Sequence, residues 1–141
     1  MAIVLFDTNI FIDHFNQHHE ATEELLNYVD SVISSITWIE VACRFSEPDK
    51  REFAHLLLAS GIRVVHISDE IMFRAASIRG ESIVNKPKIS LPDCIIRATA
   101  EVEGRVIITR NPKDYGGEGP MIRVPYKLEN GVVSDVKPRL Q

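Results

Sequence analysis

Four acidic residues stand at places in this sequence that suit a hard metal ion. Asp7 closes an apolar run in Phe6-Asp7-Thr8-Asn9, Glu40 lies three residues beyond Thr37, Asp93 three beyond Ser90, and Asp114 three beyond Asn111. Converging carboxylates can carry one or two divalent cations. Mg²⁺ binds oxygen at about 2.0–2.1 Å and needs only one or two protein carboxylates beside water and substrate phosphate. Two ions about 3.5–4 Å apart can stabilise the attacking and leaving oxygens of a phosphodiester displacement. Without a cation the same carboxylates repel one another, which links metal binding to fold stability.

Each acid also has a plain structural use. Thr37-x-x-Glu40 has the pattern of a capping box, and Ser90-x-x-Asp93 is the same device. Asp114 suits the first turn of a short helix, where the dipole favours a carboxylate. Asp7 can cap the helix that follows it, although a carboxylate ending a buried strand also needs a partner. Singly, these uses suffice. The metal reading rests on four acids occupying equivalent places.

The elements that position them follow from the residue pattern. Short apolar runs predict strands at 2–6, 32–36, 62–67, 105–109 and 121–124. Helical spacing and caps predict helices at 9–15, 20–28, 37–45, 49–59, 69–83 and 91–102, with Gly61 and Gly104 as stops. Alternation of this kind implies α/β architecture, with a mainly parallel sheet covered on both faces. In such a sheet, function gathers beyond the carboxyl ends of the strands, where Asp7, Glu40 and Asp114 fall. Near the end, 126–128 and 132–136 flank Asn130-Gly131, a hairpin signal. With no repeat or linker, the chain reads as one domain at 1–128 with an extension at 129–141.

Composition narrows the class. A chain of 141 residues with 45% hydrophobic content can bury a core without staples. The net charge of −4 argues against a protein that merely coats nucleic acid, but suits an enzyme that collects carboxylates for cations. Cys43 and Cys94 have the spacing of neither a disulfide framework nor a zinc site. With no export signal or membrane span in the sequence, they read as reduced thiols of a cytoplasmic protein. The five histidines share no metal spacing with the acids. Trp38, Phe45, Phe53 and Phe73 sit at helical positions that suit packing. Lys86, Lys88, Arg110 and Lys113 flank the acidic motifs and suit either a phosphate backbone or a solvated surface.

These residues together resemble the PIN-domain nucleases, most closely the VapC toxins of toxin–antitoxin pairs. The likeness is carried by Val4-Leu5-Phe6-Asp7-Thr8-Asn9-Ile10, by Ser34 to Glu40, by Leu91-Pro92-Asp93-Cys94-Ile95-Ile96-Arg97-Ala98-Thr99-Ala100, and by Ile108-Thr109-Arg110-Asn111-Pro112-Lys113-Asp114-Tyr115. The resemblance implies a three-layer α/β/α fold around a parallel sheet of about five strands. It implies an endoribonuclease that uses Mg²⁺ or Mn²⁺, is usually dimeric, and is held inactive by a cognate antitoxin. Carried over, Asp7, Glu40 and Asp93 form the central metal site, with Glu40 acting directly or through water, and Thr8, Asn9 and Thr109 support it.

Two positions depart from the family pattern. Asn111 stands where many relatives carry a fourth acid and offers a carbonyl oxygen without charge; Asp114 is the nearby carboxylate. Arg97 stands where relatives often carry a small residue, one turn after Asp93, placed to pair with an acid or contact a phosphate. The competing reading is a non-catalytic RNA-binding or regulatory PIN domain whose acids serve as caps. A phospho-aspartate domain fits poorly, since it needs a second aspartate at position 9, which is Asn.

Overall fold

The computed structural model describes residues 2–141. In chain order the elements are β1 (Ile3–Phe6), α1 (Thr8–Phe15), α2 (His19–Leu26), β2 (Asp30–Ser34), α3 (Ser35–Ala42), α4 (Glu47–Ala59), β3 (Ile62–Val65), α5 (Asp69–Asn85), α6 (Leu91–Glu103) and β4 (Val106–Ile108). A 3₁₀ turn (Pro112–Tyr115), β5 (Ile122–Arg123), β6 (Lys127–Glu129) and β7 (Val132–Ser134) complete the chain. Five strands form one sheet in the order β3-β2-β1-β4-β5, parallel throughout. β1 lies in the middle, so the strand order reverses there. Connections leaving β1 and β4 run to opposite sides and open a crevice at their carboxyl ends.

Alternation along β1 sends Val4 and Phe6 to one face and Leu5 to the other. Val4 and Phe6 pack with Ile10, Phe11, Ala21, Leu25, Phe53 and Leu57, which α1, α2 and α4 supply. Leu5 joins Val32 and Ile107 against Ile96 and Ala100 of α6 and the ring of Tyr115. Ile71, Ala75 and Ile78 of α5 then pack on Cys94 and Ala98 of α6. The expected α/β/α layering is therefore present. Burying side chains of this size contributes about 1.5–3 kcal/mol each, which makes the strand edges rigid supports for a site.

Serines begin four helices. The hydroxyls of Ser34, Ser46, Ser68 and Ser90 accept from the backbone N–H of Ile36, Asp49, Ile71 and Asp93. Gly104 ends α6 at φ +66°, a left-handed conformation that glycine adopts without strain.

Two expectations need correction. The second strand runs Asp30–Ser34 and not 32–36, and α3 opens at Ser35. Ser34 takes the cap, so the helix begins two residues earlier than Thr37 would have started it. At the other end, Asp30 is held by Arg105, whose Nη1 donates to the Asp30 carboxylate at 2.9 Å and to the Asp30 carbonyl at 3.3 Å. The capping box of Thr37 and Glu40 consequently does not form. Thr37 is buried, with its hydroxyl 3.3 Å from that of Thr8, and Glu40 falls in the second turn.

The terminal hairpin is present, with Lys127 opposite Ser134 and Glu129 opposite Val132. Asn130 and Gly131 form its two-residue turn at φ +52° and +76°, and two positive angles are what this tight turn demands. Tyr126 at its base is buried, and Val133 and Leu140 rest on the α1–α2 side of the core.

Candidate active site

Asp7 forms the floor of the crevice. It follows β1 directly, is 5% exposed, and accepts three hydrogen bonds from the protein. The backbone N–H of Thr8 donates to Oδ1 at 2.8 Å, while Asn9 Nδ2 at 3.1 Å and the Thr109 hydroxyl at 2.7 Å donate to Oδ2. Asn9 also bridges the two central strands, since its Oδ1 accepts from the N–H of Arg110 at 3.2 Å. The end of β4 is thereby pinned to the start of α1. Asn9 and Thr109, expected as supporting polar groups, are thus both placed against the Asp7 carboxylate.

The other acids rise around this floor. Thr8 donates its hydroxyl to Glu40 Oε1 at 2.6 Å, so the last turn of α3 is tied to the first turn of α1. Asp93 is half-buried in the first turn of α6 and accepts the Ser90 hydroxyl at 2.8 Å. Asp114, also half-buried, sits in the 3₁₀ turn beyond β4. Among the described residues, no three acidic, histidine or cysteine side chains close into a metal-holding group as they stand. Glu40 leans to Thr8 and Asp93 to Ser90.

Electrostatics nevertheless couple the acids into one field. Burial pushes the Asp7 carboxyl above its ordinary value; hydrogen bonds from Thr109 and Thr8 and the nearby Tyr115 hydroxyl oppose that, and the charge of Glu40 adds to it. Asp93 is also raised, first by burial and then by the charges of Asp114 and Asp7, against the Ser90 hydrogen bond. Like charges gathered in a half-closed crevice are what a divalent cation relieves.

The remaining residues divide. Arg110, which the sequence offers as a backbone contact or a solvated surface group, is committed to Asp13. Its Nε lies 2.5 Å from Oδ2 and its Nη2 3.0 Å from Oδ1, and the Tyr126 hydroxyl donates to the same carboxylate at 2.7 Å. Arg97 packs its guanidinium beside Gly116 and pairs with Glu101 at 3.5 Å. Lys113 is exposed. Asn111 is exposed, and its backbone N–H donates to the Thr109 hydroxyl at 3.0 Å. Three residues take places at the site that the sequence reading did not give them: Ser90 and Thr37, read there only as caps, orient Asp93 and lie beside Thr8, and the Tyr115 hydroxyl lies near Asp7. The Ser-x-x-Asp and Thr-x-x-Glu spacings mark the first two, whereas nothing in the local sequence marks the Tyr115 hydroxyl.

If these acids hold a divalent cation, the fourth position is testable. Asn111→Asp adds a charge at the exposed rim and is expected to tighten Mn²⁺ binding severalfold. Asp114→Asn removes one of the charges raising Asp93 and is expected to loosen it. Mn²⁺ titrations followed by melting temperature read both. Unchanged midpoints would place this turn outside the metal shell.

Residues 4–113 match the family model described as PIN domain. The chain belongs to the PIN-domain family. Among solved structures, a chain of a toxin–antitoxin complex from Klebsiella pneumoniae is 35% identical, with a TM-score of 0.73 over 89% of this chain and 99% of that one. A chain of DNA-bound VapBC from Salmonella typhimurium is 24% identical, with a TM-score of 0.66 over 87% and 96%. A chain of VapBC2 from Rickettsia felis, bound to a promoter DNA fragment, is 22% identical, with a TM-score of 0.66 over 85% and 95%. The last two likenesses concern the fold. A comparison with curated protein sequences gives no match.

Proposed function

We propose that this chain is a metal-dependent endoribonuclease that hydrolyses RNA phosphodiester bonds as the toxin of a toxin–antitoxin pair. The observation that supports it most is Asp7: a buried carboxylate at the switch point of a parallel sheet, oriented by three donors and coupled by charge to Glu40 and Asp93. Asp7 also caps α1 through the Thr8 N–H, but a cap alone would not need the Asn9 and Thr109 donors. The donor set consists of carboxylate and amide oxygens, which suits Mg²⁺ or Mn²⁺ and not a soft metal.

Asp7, Glu40 and Asp93 would hold the ion, with Asn111 or Asp114 as a weak fourth position. When bound, the ion would supply Lewis-acid polarisation of the phosphoryl group and a more acidic water. The chain's own residues do the positioning. Asn9 and Thr109 fix the Asp7 carboxylate, Thr8 steers Glu40, and Ser90 steers Asp93. Lys113, exposed beside the crevice, is placed to meet RNA phosphate; Arg97 would do so only by leaving Glu101.

Kinship with the Klebsiella complex supports an antitoxin as protein partner, and the exposed apolar residues Met72, Phe73, Ile83 and Val84 of α5 offer a surface for a second copy. Among the described residues no helix is long and apolar enough to cross a membrane, and a cytoplasmic setting accords with the free thiols of Cys43 and Cys94. Within the chain, 1–128 would carry the activity and 129–141 would be an extension.

The test is cleavage of a mixed RNA pool by purified protein with Mn²⁺ and with chelator. Metal-dependent fragments are expected. RNA binding without cleavage would instead favour a regulatory PIN domain, a reading that Asn111 in place of an acid supports. In parallel, Mg²⁺ or Mn²⁺ is expected to raise the melting temperature of the wild type more than that of Asp7→Asn, because the ion relieves repulsion only in the folded state. Equal shifts would mean that the acids do not form one site.

A further inference from the structure

Tyr115 closes the 3₁₀ turn, and its ring is packed in the core with Leu5, Val32, Ile96, Ala100 and Ile107. The residue is 4% exposed. Its hydroxyl is buried and has no hydrogen-bond partner, as is also true of Asn27 Nδ2 and Ser31 Oγ among the described residues. Those two lie away from the acids, Asn27 after α2 and Ser31 toward the opposite end of the sheet. The Tyr115 hydroxyl lies within the fields of Asp7, Asp93 and Asp114.

A buried donor left unpaired costs stability that a phenylalanine would not, so the hydroxyl calls for an explanation. Asp7 lies close enough for the hydroxyl to favour its charged form, but no well-formed hydrogen bond joins the two, and the carboxylate is largely spent. A carboxylate has about four lone-pair sites, and Thr8, Asn9 and Thr109 occupy three on Asp7. On the reading proposed above, a cation takes the remainder. The turn itself fixes the ring: Gly116 and Gly117 both adopt positive φ, +90° and +96°, which returns the chain sharply after Tyr115. The hydroxyl is thus a rigid donor beside Asp7 with no well-formed hydrogen bond of its own.

We propose that Tyr115 is a positioning residue of the site, its buried hydroxyl donating a hydrogen bond to a ligand oxygen held between Asp7 and Asp93. That oxygen belongs either to a water or to the phosphodiester of the substrate. A phenol ordinarily titrates at about 10, so the hydroxyl is a donor at neutral pH. This assignment rests on the metal-site reading of the same acids.

Tyr115→Phe keeps the ring and removes only the hydroxyl. Its melting temperature without metal is expected to equal or exceed that of the wild type, since no protein partner is lost. If the ligand oxygen is a water, the Mn²⁺ midpoint measured by melting without RNA is expected to rise severalfold. If it is the phosphodiester, the Mn²⁺ midpoint stays and kcat for RNA cleavage falls by about tenfold to a hundredfold, the weight of a hydrogen bond to a charged group. A lower metal-free melting temperature overturns the proposal, because the hydroxyl's partner would then lie within the protein. Unchanged midpoint and unchanged kcat overturn it as well. A wild type that binds Mn²⁺ and cuts no RNA would sink the ribonuclease reading, and the Mn²⁺ midpoint would then decide Tyr115 by itself.

Discussion

Asp93→Asn is expected to fold as the wild type does and to lose RNA cleavage by more than about a hundredfold, since even supporting residues of metal sites cost 10–100-fold when removed. Asn keeps the shape and can still accept the Ser90 hydroxyl, but it cannot help to neutralise a cation. Stability should move the other way. The Asp93 carboxyl is raised by burial, Asp114 and Asp7, so the folded state holds this proton more tightly than the unfolded state does. Its contribution is favourable at low pH and declines as pH rises from the ordinary carboxylate value through the raised one. At neutral pH without metal, the variant should therefore match or exceed the wild type. That advantage should vanish as the pH falls below the ordinary carboxylate value. Full cleavage by a well-folded Asp93→Asn would remove this residue from the reaction.

The fold was legible because burial and punctuation agree. Short apolar runs became the parallel strands, and the Asn130-Gly131 turn gave the hairpin. β2 slipped by two residues for a reason that local pattern cannot carry. Ile36 resumes the apolar pattern after Ser34-Ser35, and a strand end and a buried helix start look alike there. What decides the boundary is the Ser34 cap together with Arg105, which reaches back 75 residues to Asp30. Correcting that boundary changes the meaning of Glu40. As part of a capping box it would have a purely structural use; in the second turn it is free to meet Thr8.

The site was legible to a lesser degree. Asp7 and Asp93 stand out because each sits beside a recognisable element end, and their orienting partners Asn9 and Ser90 lie two and three residues away. The charged network behind them is hidden. Arg110 looks available for phosphate, and nothing around Asp13 in Ile12-Asp13-His14 marks it as a buried carboxylate. The two meet across 97 residues, and Tyr126 joins from 113 residues away. Contacts of that separation are set by the sheet order, which brings the end of β4 beside the start of α1. Tyr115 is hidden for the same reason. Its ring reads as core, and only the folded turn reveals where the hydroxyl lies.

Asp13→Ala is expected to be the most destabilising single change outside the apolar core. The Asp13 side chain is 1% exposed and Arg110 22% exposed, so water cannot readily replace either partner. Removing the carboxylate leaves the guanidinium without its bidentate acceptor and the buried Tyr126 hydroxyl without any. Breaking a buried pair from one side costs about 3–5 kcal/mol, against a total stability of about 5–15 kcal/mol for a domain. A fall in melting temperature of roughly 10–20 °C should follow. Asp13→Asn should be intermediate, because it retains an acceptor for Tyr126 and loses only the charge. The double variant Asp13→Leu with Arg110→Met should recover much of the loss, since apolar replacement of both partners leaves no orphaned charge. The consequence reaches the acids as well. Arg110 also donates its backbone N–H to Asn9, and Asn9 holds Asp7. A loosened Arg110 should therefore weaken Mn²⁺ binding in whatever fraction of Asp13→Ala remains folded. Chemical denaturation of the three variants measures the stability order. An Asp13→Ala within 1 kcal/mol of the wild type would show that this buried network contributes little to the fold and that Asp7 is positioned without it.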